Sequence, residues 1–249
     1  MEEVEEKEVT MQDQLYNGFW VDYYDTAFPA KENAERAKRV VGLIKKFKPD
    51  SKKMLELACG TENYTVYWTR LFKVKATDLS KDMIKRARRK CKGVTFKEVS
   101  MTSFREPAVY DVVTCMWESF RYNENYRQVV KTLRNIHHAL KKDGLFVVDF
   151  HHFAPKKKEW FELDFKSVVV NGKTVHEHQQ LRTCGNYDIR KSRMNVDEKT
   201  VNVVRSPLLR ISEEQMRKFL ARTGFEVVHF QRKFVGPPQS MLFIARKVK

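Results

Sequence analysis

The sequence predicts an α/β protein: a seven-stranded, mostly parallel, doubly wound sheet with an antiparallel β insertion before the last helix. Three observations carry this. Short β-rich runs alternate with helical periodicities from Met54 to Phe150, the pattern of parallel strands covered by helices on both faces. Asn171-Gly172 then joins two β-rich runs, a strong signal for a two-residue hairpin. Last, a helical segment from Ser212 to Gly224 is followed by two more β-rich runs.

Each element follows from local chemistry. Glu2, Glu3, Glu5, Glu6 and Glu8 make residues 1–14 an acidic tail, expected to be mobile. After the aromatic-rich QLYNGFWVDYYDTAF comes KENAERAKRVVGLIKKF, where Ala34, Ala37, Val40, Val41 and Ile44 recur at helical spacing until Pro49-Asp50 closes the helix. MLELA reads as a strand, TVYWTRLF as a helix and FKVKATD as a strand. SKDMIKRARRKCK reads as a helix opened by Ser80 and Asp82. VTFKEVS and YDVVTCMW are strands, and NYRQVVKTLRNIHHALKK is a long helix expected to close at Asp143-Gly144 before the strand LFVVDF. DFKSVVV and KTVHEHQQLR form the first hairpin; DIRKSRMNV and TVNVV form a second across an expected three-residue turn, Asp197-Glu198-Lys199. ISEEQMRKFLARTG is helical, and EVVHF and SMLFIAR supply the last strands. The expected organisation is a cofactor-binding core over 15–153, an insertion over 154–206, and 207–249 completing the core.

The 249 residues suffice for a substantial core. No run of about 18 apolar residues offers a membrane span, and the acidic N-terminus lacks the basic-then-apolar leader of a secretory or transit signal. Cys59, Cys91, Cys115 and Cys184 lie far apart without CxxC spacing, so metal or disulfide use is not expected and a reducing cytoplasm fits. The net charge of +16 would attract RNA, DNA or a phosphorylated metabolite. It is spread along the chain, however, as solvated basic helix faces would be, without an aromatic RNA-binding signature. Nothing in the residues separates a monomer from a homodimer.

The chemistry concentrates at LELACGTENYT, where the first strand meets a tight turn. In an open parallel sheet, ligands sit beyond the carboxyl ends of the strands. A dinucleotide needs bare glycine backbone under its pyrophosphate. This turn offers Gly60 and then Glu62, whose carboxylate would repel phosphate. S-adenosylmethionine carries no phosphate and requires a tight turn, an acid for its ribose and a slot for adenine. Asp78, about twenty positions beyond Glu56, has the spacing of a ribose-binding acid.

Here the chain resembles the class I, Rossmann-like S-adenosylmethionine-dependent methyltransferases. Their first motif, commonly [E/D]-x-G-x-G-x-G, stands as Glu56-x-Ala58-Cys59-Gly60-x-Glu62. TDLSKDMIKRAR resembles the second-strand motif, which implies Asp78 on the ribose, Leu79 beside it and Met83 near adenine. VSMTSF resembles the third-strand loop, with Ser100 where an Asp often meets the adenine amine, then Met101. YDVVTCMWESFRYN resembles the fourth strand and its exit, with Met116 and Trp117 beside the methionine part. The late β insertion, and Tyr24-Asp25-Thr26-Ala27-Phe28, resemble the small-molecule N-methyltransferases, notably the aminosugar N,N-dimethyltransferase and glycine N-methyltransferase groups, in which such an aromatic segment covers the methionine end.

Two positions depart from the pattern. Ala58 adds only a methyl, tolerable if its backbone is ordinary. Glu62 would be strained at positive φ; its carboxylate could oppose the cofactor carboxylate, pair with the cofactor ammonium, or swing to solvent. For transfer, the protein must align donor and acceptor in a dry pocket, with a base only if the acceptor arrives protonated. His151 and His152, at the end of the fifth strand, could take that proton near neutral pH or could simply line a loop. The resulting expectation is methyl transfer to a small molecule, at nitrogen rather than oxygen. An RNA or protein methyltransferase, or a non-catalytic relative impaired by Glu62, are the alternatives.

Overall fold

The computed structural model describes residues 18–152, 156–234 and 240–248; the expected acidic tail at 1–14 lies outside them. Seven strands form the first sheet: β1 (Lys53–Leu57), β2 (Lys73–Asp78), β3 (Thr95–Glu98), β4 (Tyr110–Cys115), β5 (Leu140–His151), β10 (Phe225–Arg232) and β11 (Ser240–Lys247). Their order is β10-β11-β5-β4-β1-β2-β3, with β11 antiparallel to both neighbours. The strands nearest the centre are almost wholly buried, Val112, Val113, Phe146 and Val147 among them, as a sheet covered on both faces requires.

The two faces carry separate cores. On one, α5 (Tyr126–Ala139) and α6 (Glu213–Arg222) press Val129, Leu133, Ile136, Met216 and Leu220 against Leu55, Val113 and Phe146. On the other, α2 (Ala34–Phe47) and α4 (Lys81–Lys90) bring Ala37, Val40, Ile44, Ile84 and Ala87 against Met54, Val74 and Val112. Burial of two such layers supplies the main driving force for the fold. Caps match the sequence: Ser80 accepts from Met83 N, and Ser212 with Gln215 makes a full capping box.

Three local expectations change. The long helix ends at Ala139, not at Asp143-Gly144, because Leu140 is buried and already pairs with Tyr110. The next β4 partner is Val112 with Leu145, so Lys141–Gly144 bulge out of the strand rather than cap a helix. Gly144 is required there by space: an added Cβ would lie 2.9 Å from the Lys141 carbonyl oxygen. The TVYWTRLF helix shrinks to one α-turn, α3 (Thr65–Trp68), since Lys73 N already joins Lys52 O to start β2. The second hairpin turns on two residues, not three. Asp197 (φ 47°) and Glu198 (φ 67°) both adopt positive φ, and Lys199 pairs with Val196, the backbone of a type I′ turn.

The insertion is an antiparallel meander, β6 (Phe161–Val170), β7 (Lys173–Cys184), β8 (Tyr187–Val196) and β9 (Lys199–Leu209). Helix α1 (Phe19–Ala27) packs Trp20, Tyr23 and Ala27 onto its Val170, Val175, Met194 and Val204. A fully buried Arg121–Asp188 ion pair, joined by Arg210, fastens the meander to the exit of β4. Removing one member would strand a buried charge, so the pairing fixes where the second sheet stands.

Candidate active site

Beyond the carboxyl ends of β1, β2, β4 and β5 lies a cavity of about 690 Å³, closed on its far side by β7 and β8. Such a volume suits a drug-sized ligand. The turn after β1 forms one wall. Ala58 (φ 52°), Gly60 (φ 57°) and Glu62 (φ 94°) all have positive φ, so Ala58 does not keep the ordinary backbone that would make its methyl innocuous. A side chain in this region costs roughly 1–2 kcal/mol. Gly60 N donates to the Asp78 Oδ2 at 2.8 Å, and Ser80 N to Oδ1 at 2.9 Å, so one carboxylate locks both turns together.

Glu62 does not enter the cavity. Its carboxylate is buried and pairs with Lys90 Nζ at 2.9 Å. Burial raises its pKa while Lys90 pulls the other way. Lys90 also pairs with Asp25 at 2.9 Å, and Arg86 pairs with Asp22 and Asp25. The departure from the glycine pattern is therefore a tie between the first turn, α4 and α1, and none of the three fates expected for that carboxylate occurs.

The expected cofactor residues converge. Tyr24, Glu56, Ala58, Cys59, Asp78 and Leu79 line the cavity, as do Met83, Ser100, Met101, Met116 and Trp117. Gly60 is outside the lining, under Tyr24, whose ring would be 3.7 Å from an added Cβ. Ser100 Oγ bonds the Thr102 hydroxyl at 2.9 Å and its backbone N–H at 3.2 Å, which shapes the third-strand loop. Tyr24, Phe28 and Trp117 form an aromatic cluster with centroids 5.2–6.3 Å apart. Burial raises the Asp78 pKa against its backbone donors, and pushes Glu56 up to about 8 against a 2.6 Å bond from Thr65 Oγ1.

The β4 exit carries the second group. Trp117 (φ 59°) and Glu118 (φ 61°) are consecutive left-handed residues, a strained arrangement held by its partners. Trp117 N donates to Asp149 Oδ1 at 2.6 Å. Glu118 Oε1 accepts from His151 Nδ1 at 3.0 Å, from His151 N at 3.2 Å and from Arg121 Nη1 at 2.9 Å. Burial would raise the Glu118 pKa, yet Arg121 and His151 hold it far below the usual carboxylate range.

The adjacent histidines part company. His151 lines the cavity; His152 does not, and burial beside Arg210 and Arg121 lowers its pKa. Several lining residues escaped the sequence reading: Arg36, 3.8 Å from Asp149, and Glu177, Gln179, Arg190 and Ser192 on the meander. The alternation of β7 was the one available signal, since residues 177 and 179 share a face.

Residues 54–144 match the model of a methyltransferase domain. The chain carries a methyltransferase domain and is an S-adenosylmethionine-dependent methyltransferase. It is 26% identical over 165 residues to a dTDP-3-amino-3,4,6-trideoxy-alpha-D-glucopyranose N,N-dimethyltransferase of Streptomyces venezuelae, covering 65% of this chain and 69% of that protein. Its fold superposes on the sugar N-methyltransferase KedS8 of Streptoalloteichus with a TM-score of 0.82 at 20% identity, over 100% of each chain. The S-adenosylmethionine-bound amino pentose methyltransferase CalS10 of Micromonospora echinaspora gives 0.77 at 19% identity, over 95% of this chain and 99% of that one. The cavity of this methyltransferase suits the cofactor: Glu56, Asp78 and Asp149 line it, a poor setting for a pyrophosphate and a good one for a ligand bearing a sulfonium and an ammonium. No helix among the described residues is long and apolar enough to cross a membrane.

Proposed function

We propose that this methyltransferase methylates the nitrogen of a small polar acceptor, an aminosugar or a compound of similar chemistry, in a reducing cytoplasm. S-adenosylmethionine supplies the electrophilic methyl group. In this reading Asp78 accepts hydrogen bonds from the ribose hydroxyls, Met83 and Met101 flank the adenine, and Tyr24 and Trp117 cover the methionine end. Arg36 and Asp149 offer opposite charges to the cofactor's carboxylate and ammonium. The same cavity carries the base.

The observation that carries the proposal is the Glu118–His151 pair on the cavity wall. Glu118 accepts from Nδ1, which selects the tautomer whose Nε2 is basic. An amine arriving as ammonium loses its proton to that nitrogen, and its lone pair is then free to attack in line. Glu118, itself held by Arg121, positions the imidazole and stabilises it once protonated. The relatives named above act on amino sugars, which supports nitrogen as the acceptor atom. The non-catalytic reading loses its basis, because Glu62 faces Lys90 rather than the cofactor space.

The test is a calorimetric titration with S-adenosylmethionine followed by a methyl-transfer assay on amino sugars. Micromolar cofactor binding and methylated amine are expected. No heat at millimolar cofactor would overturn the proposal.

A further inference from the structure

The meander contributes a carboxylate that no cation answers with an ion pair among the described residues. Glu177 is 2% exposed, lines the cavity, and is gripped by three neutral side chains. Tyr23 Oη donates to its Oε2 at 2.6 Å, Gln179 Nε2 to Oε1 at 2.8 Å, and Ser192 Oγ to Oε1 at 2.5 Å. It forms no ion pair among the described residues, a condition it shares with Glu56 in the wall of the sheet, whereas the buried acids Glu62, Glu106, Asp111, Asp149 and Asp188 each have a lysine or arginine within reach. Burying a carboxylate without a counter-charge is costly. Hydrogen bonds satisfy its lone pairs but leave the charge unbalanced.

The surroundings are built to keep the carboxylate in one place. Tyr23 is itself fully buried in α1 against the meander. Burial, reinforced by the carboxylate, holds its phenol far above the ordinary range, so it stays a donor. Gln179 and Ser192 pair directly across β7 and β8, and both line the cavity with Glu177. A face of glutamate, glutamine and serine is poor ground for a flat aromatic acceptor and good ground for a polyhydroxylated one.

We propose that Glu177 is the acceptor's counter-ion: it draws the ammonium form of an amino-bearing polyol into the cavity, and the β7–β8 face reads the hydroxyls around it. This rests on the N-methyltransferase reading and adds the substrate's charge state and the residue that selects it. It also gives the insertion a task distinct from covering the cofactor. Glu177 and His151 divide the work, one recruiting the cation and the other relieving it of its proton.

Glucosamine, N-acetylglucosamine and glucose serve as probes, titrated into the full chain saturated with S-adenosylhomocysteine and followed by saturation-transfer NMR. The wild type should bind glucosamine at least on the order of tenfold more tightly than its N-acetyl form or glucose. In Glu177→Gln, glucosamine should weaken by a similar factor, with S-adenosylhomocysteine affinity unchanged. Equal binding of the three sugars by the wild type would overturn the proposal, and that comparison needs no variant. So would glucosamine binding that survives Glu177→Gln, or cofactor affinity that falls with it. If S-adenosylhomocysteine itself fails to bind the wild type, the methyltransferase reading falls; if it binds and glucosamine shows no preference, only the role of Glu177 does.

Discussion

The two ends of the cavity hold their charges by different means. At the sheet edge the acids are anchored by backbone: Asp78 by Gly60 N and Ser80 N, Asp149 by Trp117 N. At the meander the anchoring is between side chains: Glu177 by Tyr23, Gln179 and Ser192, and Arg190 to the Tyr122 hydroxyl. Backbone donors come with the turn and cannot be mutated away, whereas a side-chain network changes with any one of its members. This suits an invariant cofactor at one end and an acceptor particular to the enzyme at the other. A mutation at the first end should cost cofactor binding, and one at the second should spare it.

The largest effect on cofactor affinity is expected at the backbone-held end. Asp78→Ala removes the acceptor of two main-chain N–H groups and the partner proposed for the ribose. Hydrogen bonds to a charged group contribute about 1.5–3 kcal/mol each, so the cofactor dissociation constant should rise at least about 100-fold by calorimetry. A rise under tenfold would break the contrast between the two ends.

Next comes the pair that stands between them. Glu118→Gln keeps the shape at His151 but removes the charge that orients it, and His151→Ala removes the proposed base. Loss of general base catalysis is worth about 10²–10⁴ in rate, and His151→Ala should show it in kcat at saturating cofactor with cofactor affinity little changed. Glu118→Gln should fall less than His151→Ala, because the imidazole remains while only the group that orients it is changed. Parallel losses of cofactor affinity would place the pair with Asp78 instead.

These differences also explain what could be read from residues alone. The seven strands, the insertion and the Asp78 turn were legible because each is local: a strand, a turn and a cap within a few positions. The Gly60–Asp78 bond follows from two adjacent parallel strands. Glu177 was not legible, for its place depends on the β7–β8 register and on α1 arriving from the other end of the chain. Arg36 gave no signal among the other charges of its helix. Gly144 was misread because a bulge and a helix stop use the same Asp-Gly dipeptide; only the burial of Leu140 decides between them.

Glu56 sharpens the contrast through pH. Its pKa, pushed up by burial to about 8 from the ordinary 4.5, means that the folded state favours the protonated acid. Its contribution to stability is therefore present at low pH and is lost as pH rises from about 4.5 through 8. The cofactor-free wild type should lose about 2–4 kcal/mol between pH 5 and pH 9 relative to Glu56→Gln, measured as the difference between their denaturation curves. Bound cofactor, bringing positive charge to the cavity, should shrink that difference. An unchanged difference would mean that Glu56 does not sense the ligand.

The smallest effect is expected from the most conspicuous departure in the first motif. Glu62→Gly relieves a positive φ worth roughly 1 kcal/mol and removes the buried Lys90 pair, but Lys90 retains Asp25. The two changes oppose each other, so stability should move by no more than about 1 kcal/mol. Cofactor affinity should stay within about threefold, because the carboxylate faces α4 and not the cavity, and threefold is well under 1 kcal/mol. What should change is the seating of α1: without Glu62, Lys90 holds only one end of the tie, and amide hydrogen exchange over Phe19–Ala27 should quicken. A tenfold gain in cofactor affinity would instead mean that the glutamate obstructs the turn, and the backbone-held end would then be less finished than its geometry indicates.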